Sequence, residues 1–380
     1  MVNSNADALG IIFPNSYDSV VPELASDRSM ASIPFGSRYR MVDFVLSSMV
    51  NCGMDNVSLI VRKNYHSLMD HLGYGREWDL ARKNRGLNIV PPFAKKSVKV
   101  YNGRVEALAS ILEFLKSQKE KYVILSDANI VMNFDFAALI EAHMETGADV
   151  TLAYTREEIP QNLRAEHENN ENFYYTLMIE NGRVKQIKTN PSDAGIQNYY
   201  MNICIIGREE LIDMVGRAYV HGIAYLERDI FSPYLDKLNV QGYLYEGYAA
   251  RIVDMKSYFR ENMKLLEEEN LDALFSKAPI YTKIRDDNPT RYVNGAKAKK
   301  IMAADGCLIE GDVENSILFR GVKVGKGAKV KNCVLMQDTI VEAGANIEYV
   351  ITDKNVTITA NKEMAGNDAF PVYVMKGETV

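Results

Sequence analysis

The chain has 380 residues, 47% of them apolar and 25% charged, with a net charge of −6. That length suits two domains, and the composition is that of an ordinary globular protein. The mild acidity argues against a nucleic-acid-coating surface, no basic run suggests a membrane surface, and no apolar run approaches the ~20 residues of a membrane span.

The N-terminus, MVNSNADALGIIF, lacks the basic stretch and long apolar core of a signal peptide, so a cytoplasmic protein is expected. Short, branched apolar runs at 8–13, 57–61, 122–125 and 149–153 read as buried parallel strands. Helical patterns occupy 45–52, 105–119 and 136–146. The alternation predicts a doubly wound α/β domain, with ligands bound beyond the carboxyl ends of the strands, where 14–19 lies. An amphipathic helix at 256–270 closes this domain, and the proline-bounded, polar segment 279–289 reads as linker. Beyond it the pattern changes. Ile301, Cys307 and Val313 are six apart, as are Leu318, Val324, Val330 and again Leu335, Val341, Ile347, with Gly and Asn recurring between them. That period predicts a left-handed parallel β-helix of about three readable coils. The predicted domains are thus an α/β domain at 1–270, a linker at 271–295 and a β-helix at 296–380. Phe319, Val322 and Met336 lie off the apolar period and are expected to be exposed to a partner.

The loop after the first strand reads Asn15-Ser16-Tyr17-Asp18-Ser19-Val20-Val21. A phosphate cradle needs glycines, so that backbone N–H groups can approach the anion, and it excludes negative charge. This loop has no glycine and carries Asp18. Cys52, Cys204, Cys307 and Cys333 are scattered without metal spacing and read as reduced thiols. The five histidines, His66, His71, His143, His167 and His221, show no metal spacing either, so no metal site is expected.

Five stretches carry a resemblance: IPFGSRYRMVDF at 33–44, NYHSLMDHLGYGREWDL at 64–80, GLNIVPPF at 86–93, PIYTKIRD at 279–286 and ADGCLIEGDVENSILFRG at 304–321. With them, nearly the whole chain resembles glucose-1-phosphate adenylyltransferases. The resemblance implies a Rossmann-like nucleotidyltransferase domain followed by a left-handed β-helix. It also implies which positions should do chemistry, and here they are changed. The glycine-rich triphosphate loop is Asn15, Ser16 and their neighbours, and Val20 stands for its arginine. Met30 stands for a lysine, Arg62 for the glutamine that reads the base, and Thr189-Asn190-Pro191 for the Glu-Lys-Pro that holds the sugar phosphate. The Gly-Thr-Ala-Asp-Ala turn has become Gly103-Arg104-Val105-Glu106-Ala107. The two Mg²⁺ carboxylates correspond to Ala128 and Arg251, although Asp127, one residue early, leaves a shifted ligand open. Each such charge supplies ~3 kcal/mol or more of transition-state stabilisation, so their joint loss should remove catalysis.

The resemblance therefore implies a non-catalytic regulatory subunit. It would have no cofactor of its own, Mg²⁺ belonging to a catalytic paralogue with which it forms a heterotetramer for glycogen synthesis. Arg28 and Arg40 match an anionic-effector site of the family. With Arg38 they can clamp a phosphorylated metabolite, salt bridging being the other reading. Two further readings stay open: a working adenylyltransferase with a rearranged site, and a stand-alone sugar-nucleotide or phosphosugar sensor. An acyltransferase on the β-helix is disfavoured, because no histidine follows His221.

Overall fold

The computed structural model describes residues 7–91, 101, 103–161, 163 and 173–380. His167 and the last two residues of the stretch at 86–93 lie outside them. The chain divides into two compact units.

The first unit comprises residues up to 19, 45–130 and 134–247. Its strands are β1 (Ala8–Phe13), β2 (Asn56–Ile60), β3 (Gly86–Val90), β4 (Tyr122–Asp127), β5 (Val150–Glu158), β6 (Tyr175–Glu180), β7 (Arg183–Thr189), β8 (Ile196–Gly207) and β9 (Val240–Leu244). They form one nine-stranded sheet in the order β3-β2-β1-β4-β8-β5-β9-β7-β6. β1 runs parallel to β2 and β4, with Phe13 opposite Asp127, while β8 lies antiparallel to β4 and β5. The core contains Leu9, Ile11, Val123, Leu125, Leu152 and Ile206, buried beneath helices, as the near-continuous apolar runs require.

The helix Phe136–Thr146 falls where its periodicity places it. The Asp135 carboxylate accepts the Ala138 N–H at 3.1 Å, and Gly147 ends the helix with a left-handed φ of 56°. The pattern at 105–119 breaks at Ile111 (φ −111°, ψ 16°) into helices Arg104–Ser110 and Leu112–Ser117. The pattern at 256–270 likewise splits into Met255–Lys264, opened by a capping box between Asp254 and Ser257, and Glu268–Phe275. Among the described residues no helix is long and apolar enough to cross a membrane. All four cysteines are free.

The second unit comprises 20–44, 131–133 and 248–380. Compactness therefore divides the chain elsewhere than at 270. Residues 20–44 pack with the later helix: the Tyr258 hydroxyl donates to the Pro34 carbonyl at 2.7 Å, and Asn262 accepts the Gly36 N–H at 3.0 Å. The expected linker is also partly built, since Arg291–Tyr292 pairs in parallel with Leu308–Ile309.

The hexapeptide region is a parallel β-helix. One face stacks five strands, Arg291–Tyr292, Leu308–Ile309, Lys323–Val324, Ile340–Val341 and Thr357–Ile358, so the coil count exceeds the three legible in the sequence. Lys323 pairs with Ile340 and Ile340 with Thr357, a step of 17 residues instead of three full hexapeptides. The reason lies at the corners, which use the left-handed region. Asn315, Asn332 and Tyr349 occupy one corner, and Gly321, Asp338 and Asn355 another, all with positive φ. Gly and Asn tolerate that region best, which is why they recur. The expected exposure of Phe319, Val322 and Met336 is also corrected. All three are buried: Val322 packs in the coil core, and the Met336 sulfur lies 4.0 Å from the Arg28 guanidinium.

Candidate functional site

A cavity of about 110 Å³ opens in the α/β unit beyond the carboxyl ends of β1 and β4, where the topology places a ligand site. Its floor is a buried ion network centred on Arg104. Gly103 makes this placement possible: its backbone comes so near that a Cβ there would meet the Ala224 carbonyl oxygen at 2.2 Å, and that same oxygen accepts the Val105 N–H at 3.1 Å. One Arg104 nitrogen then reaches Asp127 at 2.7 Å and the other Glu227 at 2.5 Å. The guanidinium also donates to the Asn202 carbonyl at 3.3 Å and lies over the Phe13 ring at 5.2 Å. Burial works against its charge, but Asp127 and then Glu227 more than offset that and hold the proton tighter than in a free arginine. Burial, then Glu227, pushes the nearby Tyr175 hydroxyl up. The Cys204 thiol is likewise pushed up to about 12, first by burial and then by Glu227.

The loop after β1 is filled by its own side chains. Asn15 donates to the Asp18 carboxylate at 2.8 Å and the Lys63 carbonyl at 3.0 Å, and accepts the Arg62 N–H at 2.9 Å. Ser16 donates to Asp127 at 2.7 Å. Asp18 is buried beneath this network. Asn202 sits in a bulge of β8, with φ 57°, where the register to β5 slips between Tyr200 and Ile203. There its amide donates to the Tyr17 hydroxyl at 2.5 Å, which in turn donates to the Phe173 carbonyl at 3.3 Å. Among the described residues, two donors at the cavity have no hydrogen-bond partner: the Arg62 Nε and the Tyr101 hydroxyl.

Of the positions singled out in the sequence, Asn15, Ser16 and Arg62 line the cavity together with Arg104 and Asp127. Thr189 and Asn190 do not. Asn190, at φ 46°, exchanges hydrogen bonds with the Tyr174 backbone at 2.9 Å in both directions and so closes the end of β7. Magnesium does not fit this arrangement. Ala128 carries no donor atom, and Asp127 already accepts from Ser16 and Arg104. Among the described residues no group of three His, Cys, Asp or Glu side chains could hold a metal. Glu227 and Asn202 escaped sequence reasoning. Glu227 opens a π-helical turn, Glu227–Phe231, and Asn202 a bulge, and neither has a periodic signal.

Val20, Met30 and Arg251 belong to the second unit, where Met30 and Arg251 are buried. So do the three candidate effector arginines. Arg28 is held by Asp353 through two contacts at 2.7 and 2.8 Å, both side chains being buried. Tyr373 donates to the same carboxylate at 3.2 Å. Lys354 stands beside this pair. Burial, then the Arg40 and Arg28 charges, pulls its ammonium pKa down to about 7. Arg38 pairs separately, at the surface, with Asp305 at 2.7 Å. The structure thus groups Arg28 and Arg40 with Lys354, a residue that sequence reasoning missed.

Comparison with known proteins agrees with the two-part architecture. The nucleotidyl transferase family matches residues 21–209, and the GlmU-like C-terminal hexapeptide family matches 284–370. The glycogen biosynthesis protein GlgD of Bacillus subtilis (strain 168) is 32% identical over 98% of this chain and 97% of its own length. Its namesake in Geobacillus stearothermophilus is 35% identical over 86% of this chain and 83% of its own. The glucose-1-phosphate adenylyltransferase of G. stearothermophilus is 28% identical over 85% and 83%.

Proposed function

We propose, for a chain that belongs to the family of glucose-1-phosphate adenylyltransferases and the glycogen biosynthesis proteins GlgD, a regulatory and non-catalytic role in glycogen biosynthesis. One observation carries this reading: the Arg104 guanidinium lies between Asp127 and Glu227, so both carboxylates nearest the cavity are already paired with a cation of the protein itself. Nucleotidyl transfer needs charge neutralisation delivered to the phosphates. Arg104 delivers it to the protein instead. Asp18 beneath the loop would repel a triphosphate.

The chain acts as the partner of a catalytic paralogue in a cytoplasmic heterotetramer, and that paralogue supplies the Mg²⁺ site. A phosphorylated effector is read by Arg40 and Lys354 beside the Arg28–Asp353 pair, with Arg38, paired to Asp305 at the surface, as a separate contact. The test is to purify the chain and its catalytic paralogue and to measure ADP-glucose formation and mass, separately and mixed. The isolated chain should be inactive, well below the usual enzyme median of ~10 s⁻¹. The mixture should form a larger species with a higher rate, or a stronger effector response, than the paralogue alone. Turnover by the isolated chain would return the rearranged-site reading. No change in mass or rate on mixing would leave the regulatory reading without support.

A further inference from the structure

The cavity is built to hold something, and its chemistry narrows what. By the measure in which a single water needs ~10–15 Å³, its 110 Å³ has room for one monosaccharide-sized molecule. Among the described lining residues, Arg62 and Arg104 balance Asp127 and Glu227, so these side chains offer a polyanion no surplus of positive charge. The polar groups do not share one edge. Glu227 and Asp127 still have lone pairs beyond those Arg104 uses, and the orphaned Arg62 Nε and Tyr101 hydroxyl call for hydrogen-bond partners. Nor do the described aromatic side chains form a flat slot for a nucleobase. Phe173 and Tyr225 meet edge to face at 85° with centroids 4.7 Å apart, and Arg228 covers Tyr225 at 4.4 Å.

We propose that this cavity binds one uncharged sugar ring, its C–H faces against the aromatic side chains and its hydroxyls shared among Glu227, Arg62 and Tyr101. A pyranose has apolar patches on both faces and hydroxyls around its rim, which matches perpendicular rings and scattered polar groups. The proposal rests on the reading that this site no longer transfers nucleotides. Its test needs only the isolated chain, so its failure is distinguishable from failure of the partnership.

Calorimetry and saturation-transfer NMR on the full chain would use four probes: D-glucose, maltotriose, glucose 1-phosphate and Mg²⁺-ATP. D-glucose should bind saturably at about millimolar affinity, as expected for so small a ligand. Maltotriose binding equally well would show that the terminal ring of an oligosaccharide enters; exclusion of maltotriose would assign the site to the free monosaccharide. Arg62→Met should weaken D-glucose at least tenfold. Tyr101→Phe, which removes one hydroxyl and leaves the packing, should weaken it about fivefold. The proposal is overturned if glucose 1-phosphate or ATP binds more than tenfold tighter than D-glucose, if D-glucose does not saturate well above millimolar concentrations, or if both variants bind as the parent does.

Discussion

In the β-helix a side chain's partner can lie one coil away; in the cavity it can lie more than a hundred residues away. Asn315 donates to Asn332 at a separation of 17, whereas Ser16 reaches Asp127 across 111 residues and Arg104 reaches Glu227 across 123. The coil repeats one solution, an apolar residue inward and a left-handed corner, so each coil resembles its neighbours. The cavity floor is a single construction in which three charges depend on one another. A repeat distributes stability, and a buried ion network concentrates it.

The largest expected effect breaks the concentrated side. Arg104→Met leaves Asp127 and Glu227 buried without their cation and should cost about 3–5 kcal/mol in denaturant unfolding. Adding Asp127→Asn and Glu227→Gln should recover most of that loss, because no buried charge then remains unpaired. A triple variant as unstable as the single one would show that packing, not charge, sets the cost. Leu335→Ala, in the coil core, should cost about 3 kcal/mol by leaving a cavity that its neighbours partly fill.

A smaller effect follows pH. Lys354 titrates near 7 in the folded protein, while an unfolded lysine holds its proton to about 10.4. Between these values the unfolded chain binds the proton and the folded chain does not. This group therefore makes stability rise with pH from 7 to about 10, and stability is lost again as pH falls back through 7. The groups that set this are Arg40, Arg28, Asp353 and Lys376. Lys354→Met should remove up to about 1.4 kcal/mol per pH unit of slope in that window, measured as the denaturation midpoint against pH. The smallest effect is at a corner: Asn355→Ala forces a Cβ-bearing residue without a polar side chain to keep φ 59° and should cost about 1 kcal/mol.

The same contrast explains what could be read in advance. The coil was legible because its signal is periodic, and even there the 17-residue step stayed hidden: six, six and five look like sixes over any short window. Strands β1 and β4 were legible because burial on both faces writes continuous apolar runs. The loss of the phosphate loop was legible from its missing glycines. The ion network was not. Arg104 stood out only as a misfit in a turn, and nothing near Glu227 or Asn202 announces a partner so far along the chain. Arg28 carried the opposite ambiguity. Its charge suggested a ligand clamp, but the structure has it gripped by Asp353, with Lys354 left as the group whose charge is poised to change.

Arg104 has one further consequence. A dissolved ion at two carboxylates obeys mass action: its occupancy rises and falls with the free concentration outside. A guanidinium on the chain does not. Its effective concentration is fixed by the covalent tether and by the helix Arg104–Ser110 that carries it. The electrostatic state of this cavity is therefore a constant of the folded protein, indifferent to how much of any free cation the cell holds or how much its nucleotides have sequestered.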